Sequence, residues 1–593
     1  MEPTVAWIRA AAMPLVTVEA GNGFADLEPV RRLIAGARIV SLGEATHGTR
    51  EFFQLKHRLL EFCVSELGFT IFAIEASFPE CLRINDYVLN GTGNAADALA
   101  GQRFWTWDTE EVQALIEWMR AWNRTHQRQI KFYGFDMQFP TEAALGVLDY
   151  LQRVAPQLAA ASEVPLWPLS DDFSADRFHL IPSATRDAAQ ACVERILDTF
   201  ARKRSAWVAA TSELEWQLAR FNAVVLDQSA RLRLAVSRTA PTISRDIAMA
   251  ENVAALLELE GPRARAVLWA HNGHAARETK YLADDETPMP NMGSRLHEMF
   301  GREHLIIGFA FNQGSFQAIE WGRGLVNHTV TAAPEGSLDC VLAAAGMPAF
   351  LLDLATAPAA GPVHDWLESR PLSRCIGSVY SAERAETYLD AADPRHAYDV
   401  LAFIETTAAA RPTEAGRRSR PANRRLARAA TNLQLGGVGE LPEGWERSGS
   451  RGGAHAHRVA LAEERSPAGA RTVRIARVSA PWRWGEGRLE QKFSAEAWCG
   501  KRLRFSGAVR AEVRGPGAGA QLYIEVRPKP PEGVAWIMPA AAMGMVDRPV
   551  RSPHWARYGV EVDVPDEAHS INIGLALAGN GAGWFGDLEL ESG

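Results

Sequence analysis

Glu44 and His47 stand three residues apart in GEATHGTREF, directly after the apolar run ARIVSL. A carboxylate beside an imidazole is the pairing that general-base chemistry uses: the ring titrates near neutrality and the acid fixes its tautomer. The same pattern of an apolar run closing on polar side chains recurs three times. FAIEA carries Glu75, FYGFDMQ carries Asp136, and AVLWAHNGH ends in His271, Asn272 and His274. In a parallel sheet the carboxyl ends of the strands share one edge, where α/β proteins place their ligand crevices. Four segments therefore bring three carboxylates and three imidazoles to that edge. Each alone has a plain structural reading, as a capping acceptor or a satisfied core histidine. Recurrence with one polarity favours a site. Gly43 and Gly48 let the chain turn sharply here, and Thr46 or Thr49 can cap the helix that follows.

The chemistry these residues suit is activation of water for attack on an electrophile such as a carbonyl. His47 takes the proton from water, and Glu44 or Glu75 fixes its tautomer. Charge developing on the carbonyl oxygen then needs donors, which His271 or His274 with Arg50 or Lys56 can supply; one such donor is worth about 3–4 kcal/mol. Arg245 and Asp246 open SRDIAMAEN and either position the site or form a structural ion pair. Phe104, Trp105 and Trp107 in FWTWDTEEV either line an apolar cleft or pack beneath a cap. There is no G-x-S-x-G elbow before residue 408, which disfavours a serine triad. The carboxylates and histidines also suit Zn or Mn, but HNGH spaces its histidines i, i+3 outside any HExxH helix, so the reading is of no metal and no cofactor.

The elements that must position these groups follow from hydrophobic patterning. Strands are expected at 38–42, 70–74, 130–134, 266–269, 304–311, 349–354 and 399–404, nearly continuous in apolar character as strands covered on both faces should be. Val112, Leu115, Ile116, Met119 and Trp122 keep the spacing of one buried helical stripe. A long helical region from about 184 to 259, broken near Pro241, is expected to form a cap. Alternation of strand and helix gives an α/β domain over 1–407, with a largely parallel central sheet, helices on both faces and a helical insertion at about 184–260. From 408 to 431 the chain carries seven Arg, two Pro and one Glu without apolar periodicity, which reads as a linker. Residues 432–593 hold short alternating segments (503–513, 521–526, 558–562, 570–575) between Gly- and Pro-rich turns, the pattern of an antiparallel β-sandwich. The glycine clusters at 515–519 and 579–583 lack a following Lys-Ser/Thr and read as turns.

The chain has 593 residues, 47% hydrophobic and 23% charged, with a net charge of −8. That balance argues against gripping nucleic acid phosphates, and the sequence carries no apolar run long enough for a membrane helix. Six cysteines lie scattered without CxxC or zinc spacing, which suits a reducing compartment, and Glu2 stands where a signal peptide carries basic charge. The expectation is a cytoplasmic protein.

GEATHGTREF, FAIEA, FYGFDMQ, SRDIAMAEN and WAHNGH, in this order, resemble the erythromycin esterase family over roughly residues 30–406. The resemblance implies a metal-free hydrolase, distinct from serine-triad enzymes, that opens a cyclic ester such as a macrolide lactone. His47 matches the family's essential base, with Glu44 three positions before it and Glu75 28 residues after it; His271 and His274 match the paired histidines. Lys56 stands nine residues beyond the base, where the family carries Arg, so the bidentate fork is lost and Arg50 can substitute. The family also reaches proteins of succinoglycan biosynthesis, so glycan processing, acyl transfer or glycan binding stand as alternatives. The trailing segment resembles galactose-binding-like jelly rolls, in which Trp445, Trp555 and Trp584 either stack on sugars or fill the core. The implied partner is a small-molecule ester, macrolide or glycan-linked; oligomeric state is not legible.

Overall fold

The computed structural model describes residues 2–169, 178, 181–238, 245–277, 279–281, 288–320, 324–418, 433, 437–448, 457–478, 486–528 and 541–592. The chain divides into two units, residues 1–138 with 243–423 and residues 139–242 with 424–593.

The first unit is built on a nine-stranded sheet: β1 (Ala12–Pro14), β2 (Ile39–Leu42), β3 (Ile71–Ser77), β4 (Lys131–Asp136), β5 (Ala266–Trp269), β6 (His304–Glu320), β7 (Gly324–Val330), β8 (Ala349–Asp353) and β9 (Val400–Thr407). Their order is β1-β8-β9-β6-β2-β5-β3-β4, with β7 folded back on β6. The six strands from β9 to β4 run parallel; β1, β7 and β8 are antiparallel to their neighbours. Every residue of β2, β3 and β5 is buried, which is why each reads as largely apolar sequence. The one polar residue in β2, Ser41, meets His304 Nε2 at 2.8 Å. All seven expected strands are present, and the α/β class with a largely parallel sheet stands.

Leu42, Trp269, Ile74 and Gly134 lie in one row across β2, β5, β3 and β4; β2 and β5 end at that row, and β3 and β4 run on to Ser77 and Asp136. Helix α1 (Arg50–Leu67) follows the turn after β2 and stops at Gly68, whose N–H reaches the Cys63 carbonyl in the left-handed conformation that glycine favours. Thr49 occupies the position before the first turn, but its hydroxyl pairs with that of Thr46 instead of capping the helix. Neither Gly43 nor Gly48 has a positive φ. What excludes a side chain is crowding: a Cβ on Gly43 would lie 2.2 Å from Asn272 Oδ1, and one on Gly48 2.2 Å from the Gln317 carbonyl oxygen. Helix α2 (Glu110–Thr125) buries Val112, Leu115, Ile116 and Met119, and Thr109 accepts from the Val112 N–H.

Beyond β9 the chain stays on this unit through residue 418. Ala408 accepts from the Arg50 N–H, Arg411 pairs with Glu111, and Thr413 donates to Asp108. The remainder of the Arg-rich stretch, 419–431, lies outside the described residues.

In the second unit, α3 (Pro140–Val154), α4 (Pro156–Leu166), α5 (Ser183–Ala210) and α6 (Glu213–Arg238) pack on one another around Tyr150, Phe200, Trp207 and Trp216. The long helical region thus turns at Thr211, a break that has no proline to announce it, while Pro241 lies outside the described residues.

The same unit contains the expected all-β sandwich: β10 (Glu446–Ser448), β11 (His457–Arg465), β12 (Arg471–Arg477), β13 (Glu486–Ser494), β14 (Arg502–Pro528), β15 (Ala541–Gly544), β16 (Ala556–Asp563) and β17 (Ala568–Ser592). β14 and β17 are the long strands of one eight-stranded sheet, each pairing with several neighbours along its length. One half of β17 pairs with β13 and the other with β12, while β14 accompanies it throughout. The two glycine clusters lie within these strands, the first at a register break from Arg514 to Gly519, and are not hairpin turns. Leu489, Leu522, Ile573 and Leu575 fill the interior with Trp445. Trp584 is also buried, and the Arg510 guanidinium lies 3.8 Å from its ring centroid.

Candidate active site

Glu44 is fully buried, and three donors surround its carboxylate. His47 Nδ1 lies 2.7 Å from Oε1; Lys56 Nζ and Trp269 Nε1 donate to Oε2 at 2.6 and 2.8 Å. With Nδ1 turned to Glu44, Nε2 is the nitrogen of His47 left to accept a proton. The ring sits edge-on to Trp107 at 5.7 Å and 4.8 Å from the His271 ring. Lys56 projects from α1 into the interior, with its ammonium 4.4 Å from the Trp269 ring centroid. Burial pushes it down to about 8, against the opposing pull of Glu44 and Glu75.

Glu75 falls in a register break between β3 and β4, after Ile74 and before Ser77. A bulge re-aims the side chain it carries. Its Oε1 accepts from Arg245 Nη2 at 2.8 Å and its Oε2 from the His271 backbone N–H at 3.0 Å. Burial acts to raise its carboxyl, but the charges of His274, Arg245 and His47 outweigh that and hold it well below the usual carboxylate range. Asp136, at the end of β4, accepts a two-pronged contact from Arg245 Nε and Nη2 at 3.1 and 2.7 Å. Arg245 Nη1 lies 3.1 Å from His274 Nε2. Arg245, the first residue of α7 (Arg245–Glu260), thus ties β3, β4 and the HNGH turn together.

Arg245 and Asp246 do not pair with each other. Successive helical residues project about 100° apart, and Asp246 turns to His274 Nδ1 at 2.6 Å and the Met292 N–H at 3.1 Å. His274 therefore has a carboxylate on one nitrogen and, at its other, Arg245 and Glu75 Oε1 at 3.4 Å. Burial lowers its affinity for a proton; Glu75 and Asp246 reverse this, and the net shift is upward.

His271 is held differently. Its Nδ1 accepts from the Gly273 N–H at 3.1 Å and its Nε2 faces the Ile376 carbonyl at 3.1 Å. Both contacts are satisfied only by the neutral Nε2–H tautomer. Burial, with His47 nearby, holds it well below the ordinary imidazole range. Asn272 clamps β6 through both atoms of its amide to Phe309 and donates its backbone N–H to the Glu44 carbonyl.

Of the twelve positions singled out from sequence, Glu44, His47, Lys56, Glu75, Asp136, Arg245, His271, Asn272 and His274 form one bonded cluster, with Trp107 against it through Nε1 to the Glu75 carbonyl. Trp107 is 1% exposed, so it packs the site and does not line a cleft. Trp105 is half-buried, and Arg50 turns to Glu51 at 3.0 Å. Asp246, read from sequence with Arg245, joins the cluster through His274, whereas Trp269 and the Ile376 carbonyl were not assigned from sequence. Trp269 could have been found from its strand-end position; Ile376 carries no signal. A cavity of about 500 Å³ lies beyond the HNGH turn, lined by Asn272, Gly273, Arg277, Arg374 and Tyr398. Among the described residues, no group of three or more His, Cys, Asp or Glu is arranged as a metal-ligand set, and no helix is long and apolar enough to cross a membrane.

The family model for erythromycin esterase matches residues 64–407. The Bacillus subtilis (strain 168) protein YbfO is 24% identical over 365 residues, 58% of this chain and 80% of the relative. Erythromycin esterase type II of Escherichia coli is 32% identical over 132 residues, 22% of this chain and 31% of the relative. Among solved structures, a mutant of the erythromycin esterase EreC in its open conformation superposes with a TM-score of 0.53 at 17% identity, over 66% of this chain and 96% of that one.

Proposed function

Because this chain belongs to the erythromycin esterase family, a family of hydrolases, we propose that it cleaves a carboxylic ester with water activated by His47. The observation that carries this reading is the Glu44–His47 contact at 2.7 Å, in which the carboxylate holds Nδ1–H and leaves Nε2 as base. One proton of water passes to Nε2 while its oxygen adds to the acyl carbon. The imidazolium is stabilised by Glu44, which Lys56 and Trp269 keep in place. Arg245 supplies the donor for the oxyanion. Its guanidinium has five N–H groups, of which Asp136, Glu75 and His274 take four, leaving one on Nη1.

The substrate class is a small-molecule ester, a macrolide lactone or an acyl group on a glycan, and the reaction proceeds without nucleic acid, membrane or metal. Six cysteines, none of them in a disulfide among the described residues, fit a cytoplasmic location. Purified protein offered macrolides and acetylated oligosaccharides should hydrolyse one class, and His47→Ala should lose about 10²–10⁴-fold in rate with its fold intact. Wild-type turnover by His47→Ala overturns the assignment, and activity lost to a chelator and restored by Zn or Mn replaces it with the metal-hydrolase reading.

A further inference from the structure

Hydrolysis of an alkyl ester needs a second proton movement, and the site contains a second carboxylate–imidazole couple. Asp246 Oδ1 lies 2.6 Å from His274 Nδ1, mirroring Glu44 and His47. We infer that His274 is the acid that protonates the departing alkoxide, and that Asp246 is the positioning residue that directs this proton to Nε2. The inference rests on the ester-hydrolase reading and extends it to the leaving group.

Asp246 is fixed before it acts. It belongs to the first turn of α7, and its Oδ1 also accepts the Met292 N–H at 3.1 Å, so the carboxylate is anchored from two elements. Its acceptor keeps a hydrogen on His274 Nδ1 in either charge state, and only Nε2 is left to change. At Nε2 two neighbours ask for opposite things. Arg245 Nη1, 3.1 Å away, donates to a lone pair; Glu75 Oε1, 3.4 Å away, accepts from an N–H. These arrangements differ by one proton, which is the condition a group that gives and regains a proton must meet. The charged groups facing the ring are Asp246 and Arg245 from α7 and Glu75 from β3, and together they favour the protonated ring despite its burial. His274 is also reachable, with 23% of its side chain exposed, whereas His271 has both nitrogens committed to backbone groups.

The step balances. Water gives one proton to His47 and adds as hydroxide to the acyl carbon; the acyl–oxygen bond breaks, and the leaving oxygen takes the Nε2 proton of His274. The acid product ionises, His47 releases its proton, and His274 regains one. Ester and water become carboxylate, alcohol and one proton.

The test compares 4-nitrophenyl and methyl butyrate. Nitrophenolate leaves without help, whereas methoxide must be protonated as it leaves. Asp246→Asn, which keeps the shape and an acceptor for Met292, is expected to lose more kcat on the methyl ester than on the nitrophenyl ester, by at least about tenfold. His47→Ala should lose both alike. Imidazole nitrogen NMR should place a proton on His274 Nδ1 throughout the titration in wild type, with the titration moved to lower pH in Asp246→Asn. Equal losses on the two esters, or none, overturn the acid role even if His47 is the base. A wild-type His274 whose proton resides on Nε2 when neutral overturns the hold by Asp246 without any substrate. Wild type that cleaves neither butyrate, nor the macrolides and acetylated oligosaccharides, while Nδ1 stays protonated overturns the hydrolase reading, and with it the acid role.

Discussion

Lys56 is an ammonium group with no exposed surface, 2.6 Å from the one carboxylate that orients His47. Burial brings it down to about 8, within reach of ordinary buffers. As pH rises through that value Lys56 becomes neutral and Glu44 loses its ionic partner, so the proton on His47 Nδ1 is held less firmly. The kcat/KM profile should therefore fall above about pH 8. Lys56→Arg, whose guanidinium stays charged across the range, should move that limb upward. A profile that is flat from pH 7 to 10 in the wild-type protein would separate Lys56 from the base. The charge at this position is legible in the sequence, but its burial is not: nothing in REFFQLKHRL distinguishes a lysine aimed inward from one aimed at solvent.

The elements divide the work of α1 between two faces. One carries Lys56 to the site; another carries His57, 8% exposed, edge-on to Trp118 at 5.6 Å. Burial lowers His57 to about 4. The folded ring resists a proton that the unfolded chain accepts near pH 6.5, so the stability it contributes is present above pH 6.5 and lost as pH falls from there through 4. The gap corresponds to about 3 kcal/mol. Urea unfolding at pH 7 and pH 4 should show a smaller acid loss for His57→Phe than for wild type. At the turn after β2, Gly43→Ala sets a methyl against Asn272 Oδ1, which the Phe309 backbone holds in place. A loss of about 1–3 kcal/mol is expected in thermal or urea unfolding.

These elements also show where sequence reasoning reaches and where it stops. Buried parallel strands announce themselves because both faces must be apolar, so β2, β3, β4 and β5 and the polar residues at their ends were legible. The register break that turns Glu75 is not, because it depends on how β3 meets β4, sixty residues away in the chain. Arg245 and Asp246 were visible as a pair, yet helical geometry sends them to different partners. The glycine clusters of the sandwich looked like turns because glycine marks a turn and a register break inside a long strand alike.

At the scale of the whole molecule, the family match and the site lie on one side of the Arg-rich stretch. A chain ending at residue 418 should keep ester cleavage that depends on His47, since among the described residues every bonded partner of the site precedes that point. Loss of turnover in a folded protein of that length would assign the sandwich a part in the reaction. The strand order carries one more consequence. β5 lies between β2 and β3, yet the chain runs from Ser77 to Ala266 before β5 exists. On the ribosome β2 and β3 emerge early with their partner edges vacant, and the gap closes only after α3 to α7 have been synthesised. Premature pairing across that gap is the misfolding route this topology must avoid while the middle of the chain is being made.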